Sequence, residues 1–593
     1  MNETPRRTLA MSAAAVCMFI ACKEARAGVA VPAFTLVNDA ANIHFVHTLN
    51  GNDRFGRQFG AGASAADFDN DGDIDIFLPQ AFDFPNELHM NNGDGTFTEI
   101  GAAAGVNSLK ESRAAIWFDY DGDGWLDLFV ANDADAPEGQ VAPDVNTVRN
   151  LLYRNQGDRT FVEVASSVGV ALLPLPETTQ TIGGLAAADI DNDNDIDLYV
   201  SCWDNANALY VNNGAIGFTE SSLSSGVLEP GTSWAPMFMD ADRDGWQDLL
   251  LNIDFGPNRL YRNLHNGTFT NIATQVGFGT SFNEMGMSLG DVDNDGDVDA
   301  VATNIEIPYA DPDTLDKYTV LMENHIDAGS LSFSENAVSS GMARTGWGWG
   351  CTLFDCNNDG WLDLGVTNGF NSSGPYSTDP SRFFLNVGGG QFVEMSTTVG
   401  FASMLQGRGI VALDYDDDGD LDLYETNFGE KGHLYRNDTT VAGHYLKLRI
   451  GQSGKNRFAI GAEVTVTAGG QSQSRVVSAG SSFLSQEPYE LFFGLGVSTS
   501  ASNIAVRWPG GVTDNYGPVA GDRRARIVRS VGVVAPADVN GDANINADDL
   551  AILAPCSNGP ITGLMSPGCA FADIDQDRDV DLADYAEMMR AVP

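Results

Sequence analysis

The chain is 593 residues long, 43% hydrophobic and 19% charged, with a formal net charge of −49. It is too long for a single domain and apolar enough to build packed cores. The acidic balance excludes nucleic acid as a partner, because phosphates demand a basic face.

Arg6 and Arg7 precede an apolar stretch from Leu9 to Cys22, which is followed by Ala25-Arg26-Ala27. A basic start, a short apolar core and a small-x-small site predict a secretory signal over residues 1–27, cut after Ala27. Acylation of Cys22 is the alternative. The apolar run is too short to span a bilayer, and the sequence holds no other transmembrane candidate. Export, to the extracellular space or the cell surface, sets the chemistry: calcium is abundant there and thiols oxidise.

Past the signal, Asp67, Asp69, Asp71, Asp73 and Asp75 alternate around Gly72 in the string DFDNDGDID, and an apolar run follows at once. Hard divalent cations take about six to eight oxygen ligands, and oxygens at positions 1, 3, 5, 7 and 9 of a short loop wrap one ion. Position 7 serves through its backbone carbonyl, so its side chain is free to vary. The pattern returns at Asp119, Asp121, Asp123 and Asp127, and again at Asp189, Asp191, Asp193, Asp195 and Asp197. Fourth and fifth copies hold Asp240, Asp242, Asp244 and Asp248, then Asp291, Asp293, Asp295, Asp297 and Asp299. A sixth has Asp355, Asn357, Asp359 and Asp363, and a seventh Asp414, Asp416, Asp418, Asp420 and Asp422. Position 6 is glycine in all but the third loop, where Asn194 stands, as a site with positive φ requires. Asp-Gly turns alone do not explain oxygen-bearing side chains at fixed offsets in every copy. The acidic excess is concentrated in these loops, so folding is expected to be linked to calcium.

Each loop sits inside a longer repeat. A small or apolar strand such as 409–413 precedes the loop, and a second strand such as 127–130 follows it. A third reads NLLYRN at 150–155 or NRLYRN at 258–263, and a fourth reads GTFTE at 95–99, ending near a Gly-Val or Gly-Phe pair. Four short strands per unit make a blade, and the fold class expected is mainly β, with a seven-bladed β-propeller over 28–440. The seventh unit lacks its fourth strand, and residues 33–38 imitate it, so the N-terminal strand is expected to complete the last blade and leave no open sheet edge. Alternating strand direction puts every cation loop on one face. The long insertions at 132–149, 171–183, 304–319 and 368–381 fall on the other, the expected face for a glycan or protein ligand unless they are idle.

These repeats resemble the FG-GAP/VCBS repeats of integrin α-subunit propellers and of many secreted bacterial proteins, over roughly 33–440. From His444 the pattern changes to alternating apolar residues with close turns, including GSSFLSQ at 480–486 and WPGG at 508–511. A small β-sandwich-like domain is expected over 441–530. That string resembles the ASPIC/UnbV domain that follows such propellers in the cartilage acidic protein family.

A linker over 531–537 leads to Asp538, Asn540, Asp542, Asn546 and Asp549, and 35 residues on to Asp573, Asp575, Asp577, Asp581 and Asp584. Offsets 1, 3, 5, 9 and 12 are those of an EF-hand loop, and an apolar stretch suited to a helix follows each copy. The module over 538–593 is therefore expected to be small, α-helical and of EF-hand type. It resembles a type I dockerin, which implies a cohesin-like partner; Ala543 and Arg578 depart from the glycine usual at position 6. Cys556 and Cys569 bracket a short loop between the copies and are expected as a disulfide worth roughly 3 kcal/mol. Cys202, Cys351 and Cys356 are expected as buried thiols.

The sequence shows no catalytic triad order, phosphate loop, dinucleotide fingerprint or zinc motif, so catalytic residues are assigned to none. Three functions remain: a calcium-stabilised, non-catalytic adhesion or recognition protein holding up to about nine ions, a calcium-dependent polysaccharide lyase, or a purely structural role in a surface matrix. Loops self-sufficient in ligands favour the first.

Overall fold

The computed structural model describes residues 30–48, 59–135, 149–171, 179–306, 318–326, 330–370, 376–440, 443–529 and 532–534. The signal, the linker from 535 onward, the module at 538–593 and the Cys556–Cys569 pair lie outside them, as do most of the long insertions. What is described is mainly β, dominated by four-stranded antiparallel sheets of blade-like form.

In the first of these sheets the strands are Ser64–Ala66, Asp75–Leu78, Glu87–Asn91 and Phe97–Glu99, paired in chain order. Burial grades across it: the first strand is wholly buried, while in the fourth only Phe97 is. First strands therefore read as unbroken small or apolar runs, as in Ser112–Phe118 and Ile182–Ala188, rather than as alternations. The others are Ser233–Met239, Met287–Gly290, Gly348–Phe354 and Gly407–Leu413. Consecutive first strands touch, and Gly407–Leu413 touches Ser64–Ala66, so contact runs from the last sheet back to the first.

That seam is closed by the N-terminus, as expected. Phe34–Leu36 pairs antiparallel with His433–Asn437, the third strand of the seventh sheet, with Phe34 opposite Asn437. Phe34 is buried against Phe354, Phe383 and Phe401. One feature of the repeat was not anticipated. Fourth strands end in a single helical turn, such as Gly101–Ala104, and Gly105 with φ 83° stops it. The recurrent Gly-Val or Gly-Phe pair is this left-handed stop followed by a buried anchor such as Val106 or Phe278.

The small domain has two four-stranded sheets. Leu491–Gly496, His444–Gly451, Arg523–Val528 and Gly532–Val534 form one; Gln471–Val476, Glu463–Ala468, Asn503–Arg507 and Thr513–Tyr516 form the other. Leu446, Val464, Phe493 and Trp508 are among the side chains that fill the space between. This domain is seated on the cation-loop side, and residues 479–486 run down among the first strands. Ala479 bridges to Ala187, Ser482 to Met287 and Gln486 to Ser64, which belong to the third, fifth and first sheets. At the tip of this plug Phe483 is fully buried, its ring 5.3 Å from Trp234 and 5.0 Å from Trp349. Trp349 is thus core, packed on the plug.

Candidate metal centres

Each cation loop is cut to shape by its own backbone. The carboxylate at position 9 accepts two amides at once. Its Oδ2 takes the N–H of position 2, as Asp127 does from Tyr120 at 3.1 Å. Its Oδ1 takes the N–H of the asparagine that ends the third strand, as Asp127 does from Asn155 at 2.8 Å. Both bonds recur in all seven loops. Position 9 is therefore a hinge pin between loop and sheet, and it is buried in every copy.

Position 1 is fixed in the same way. Its Oδ2 accepts the amide of position 6 throughout, from Gly360 to Asp355 at 2.7 Å up to Gly72 to Asp67 at 3.2 Å. That amide points inward because position 6 has positive φ, 73° at Asn194 and 101° at Gly72. Position 4 is left-handed as well, at Asn70, Gly122, Asn192, Arg243, Asn294, Asn358 and Asp417. The preference for Asn and Gly at position 4 was visible in the sequence, and its meaning was missed.

Carboxylate oxygens within 4.8 Å of one another come from Asp67, Asp69 and Asp71; from Asp119, Asp121 and Asp127; and from Asp189, Asp191 and Asp197. Asp240, Asp242 and Asp244 make another such group, as do Asp291, Asp293 and Asp295. Several of these oxygens, including Oδ1 of Asp67, Asp242 and Asp291, are buried with no hydrogen-bond partner, as is Oδ1 of Asp416 in the seventh loop. Orphaned anionic oxygens converging in an all-oxygen loop fit a hard divalent cation. Burial, with like-charged neighbours adding to it, pushes Asp71 up to about 8. Burial likewise lifts Asp119, Asp189 and Asp291 to about 7.

Position 7 departs from the ring. Asp195 pairs with Lys455 at 2.6 Å and Asp297 with Arg243 at 3.0 Å. The tryptophans there are half-buried; Trp246 stacks on His265 at 4.7 Å. In the sixth loop the Cys356 thiol donates to Asp363 at 2.8 Å, and Cys202, Cys351 and Cys356 are all buried free thiols.

The asparagine that ends the third strand was overlooked. Its Nδ2 donates to the carbonyl before position 9 of its own loop and to the position-2 carbonyl of the preceding loop. Asn155 bonds Leu126 O at 3.0 Å and Phe68 O at 2.9 Å. Asn91, Asn212, Asn263, Asn386 and Asn437 repeat the cross-link, and Asn91 carries it over the seam to Tyr415. A recurrent Asn three residues past an apolar strand residue was the available signal.

Residues 67–130, 119–200, 189–251 and 240–302 match the FG-GAP-like repeat family, 452–533 the ASPIC and UnbV family, and 536–592 the dockerin type I domain. The chain carries all three. It is similar to Cartilage acidic protein 1 of Mus musculus, 25% identical over 340 residues, which is 53% of this chain and 49% of that one. The Xenopus tropicalis protein of the same name is 24% identical over 489 residues, 77% of this chain and 71% of that one. The chain spans about half the length of the mouse and human proteins it matches. Among solved structures, BBS1N in complex with ARL6DN gives a TM-score of 0.39 at 12% identity, covering 64% of this chain and 92% of that one. Rhamnogalacturonan lyase YesW gives 0.34 at 14%, covering 63% and 71%. Neither likeness bears on function.

Proposed function

We propose that this chain is an exported, calcium-binding, non-catalytic recognition protein, and that its seven repeated sheets are the blades of a seven-bladed β-propeller. Cyclic contact among the first strands and the N-terminal strand on the seventh sheet support the closed ring. The side-chain oxygens at positions 1, 3, 5 and 9 of each loop, carboxylates throughout except for the Asn357 amide, would hold calcium, which supplies charge neutralisation and a rigid turn. Asp538 to Asp549 and Asp573 to Asp584 would hold two more ions in the C-terminal module, whose partner would be of cohesin type.

One observation carries the non-catalytic reading: the cation loops lie beneath the small domain, with positions 1 and 9 tied into backbone hydrogen bonds. Ions held there brace the ring. Glycan or protein ligands are left the opposite side, where the long connections emerge. No helix of the described residues is long and apolar enough to cross a membrane.

The test is a glycan and protein array probed with the purified chain with and without chelator, alongside ultraviolet absorbance on pectic polysaccharides. Chelator-sensitive binding without new absorbance is expected. Accumulation of unsaturated product would overturn the non-catalytic reading.

A further inference from the structure

Several contacts of the small domain with the cation loops fall on the same atom of the loop. The position-1 carboxylate offers its Oδ2 to the position-6 amide and leaves Oδ1 turned into the loop. In four loops the small domain adds a second donor to that same Oδ2. Arg449 Nη1 reaches Asp67 at 2.7 Å, Arg507 Nη1 reaches Asp240, the Ser474 amide reaches Asp291 at 3.2 Å, and Lys447 reaches Asp414. The Lys447 side chain is 2% exposed.

The three charged donors belong to two chains of alternating charge. Arg507 also pairs with Glu463 at 2.7 Å, Glu463 with Arg243 at 2.9 Å, and Arg243 with Asp297, so one chain joins the fourth loop to the fifth. Arg449 pairs with Glu490 at 2.9 Å; Glu490 meets Arg524, which reaches Asp417 at 3.0 Å beside Lys447. The second chain thus joins the first loop to the seventh, across the seam where the ring closes.

A carboxylate that ligates through one oxygen is oriented by whatever holds the other, and loss of such an outer partner lowers metal affinity by roughly 10–100-fold. We propose that Arg449, Arg507 and Lys447 are positioning residues for the cations of the first, fourth and seventh loops, so that the small domain is the outer shell of the propeller's ions. Its seating and the loading of those loops then support each other, as linkage requires. This rests on the reading of the loops as cation sites.

Trp246, at position 7 of the fourth loop, is the reporter. Terbium is titrated into the full chain, and the Trp246-dependent luminescence is taken as the difference from a Trp246→Phe control. Arg507→Gln is expected to raise the half-saturating terbium concentration about tenfold. Terbium is also expected to slow amide exchange over Asn503–Arg507 in the parent chain and to do so less in the variant, which a merely structural arginine would not produce. If Arg507→Gln does not fold, Arg507→Lys takes its place, with a smaller loss of terbium affinity in the same direction expected. Affinity unchanged or raised in the folded variant overturns the inference. Absence of any Trp246-dependent signal in the parent chain would instead refute the cation reading itself.

Discussion

Truncating Phe34 to Ala tests whether the N-terminal strand closes the ring. Phe34 is 7% exposed and lies 5.7 Å from Phe383 and 6.3 Å from both Phe354 and Phe401, all on the sixth sheet or the turn that leaves it. Its strand adds only three residue pairs to the sheet, Phe34 to Asn437, Thr35 to Arg436 and Leu36 to Tyr435, and its other two side chains are exposed. Phe34 is the one ring this strand buries; past it, Val37, Ala41, Ile43 and Phe45 are buried and Asn38 bonds Gly432 O and the Leu434 amide, so the segment beyond the strand is anchored separately. Removing a buried Phe costs about 3–5 kcal/mol. If that energy holds the strand down, local opening becomes roughly 10²–10³-fold more frequent, at 1.4 kcal/mol per tenfold. Hydrogen exchange on the peptide over 431–438, in excess calcium, reads the opening directly. Protection there should fall by that factor while the first strands of other sheets keep theirs. Protection within about threefold of the parent chain would show that Phe34 does not hold the strand down.

Two further predictions follow from buried polar groups. Asn155→Ala removes donors to Phe68 O and Leu126 O and should cost roughly 1–3 kcal/mol in denaturant unfolding; a loss below about 0.5 kcal/mol would mean that the cross-link between loops is idle. Glu425 is fully buried, with Ser381 donating at 2.8 Å, Tyr435 also bonded to it and His433 at 3.8 Å, and burial pushes its carboxyl up to about 7. A folded value above the unfolded one gives stability that is present below about pH 4.5 and lost as pH rises through 7, a loss of roughly 3 kcal/mol. Glu425→Gln should therefore raise the melting temperature above pH 7 and leave it unchanged near pH 4; equal shifts at both pH values would contradict the assignment.

The loops were legible because a cation site fixes which atoms must recur and at what offset, and Asp67 to Asp75 display that offset without any tertiary information. The clasp was legible as a missing strand at one end of the chain matched by a spare one at the other. What the sequence hid is long-range. Alternation in Tyr445-Leu446-Lys447-Leu448-Arg449-Ile450 shows the strand and its apolar face, but nothing in it shows what the polar face meets. It is a second interface, with Lys447 pressed on Asp414 and Arg449 on Asp67. GSSFLSQ has no periodicity, since Ser482 and Leu484 are both left-handed and Gln486 meets Trp117, 369 residues away, and Ser64, farther still. The third-strand asparagines are local in sequence, yet their meaning depends on the neighbouring loop, which no single repeat contains.

The placement of the small domain also changes what the charge of −49 means. Read from composition, such an excess suggests a surface that attracts cationic partners. In the structure the acidic loops are gathered on one side, and the partner that meets them is part of the same chain. Arg449, Arg507, Lys447, Lys455 and Arg243 are paired with loop carboxylates. An external basic ligand on that side would have to displace the domain and draw Phe483 out from between Trp234 and Trp349. Burial of one such ring is worth about 3–5 kcal/mol before any ion pair is broken. Recognition of a basic ligand at the cation side is therefore disfavoured by construction.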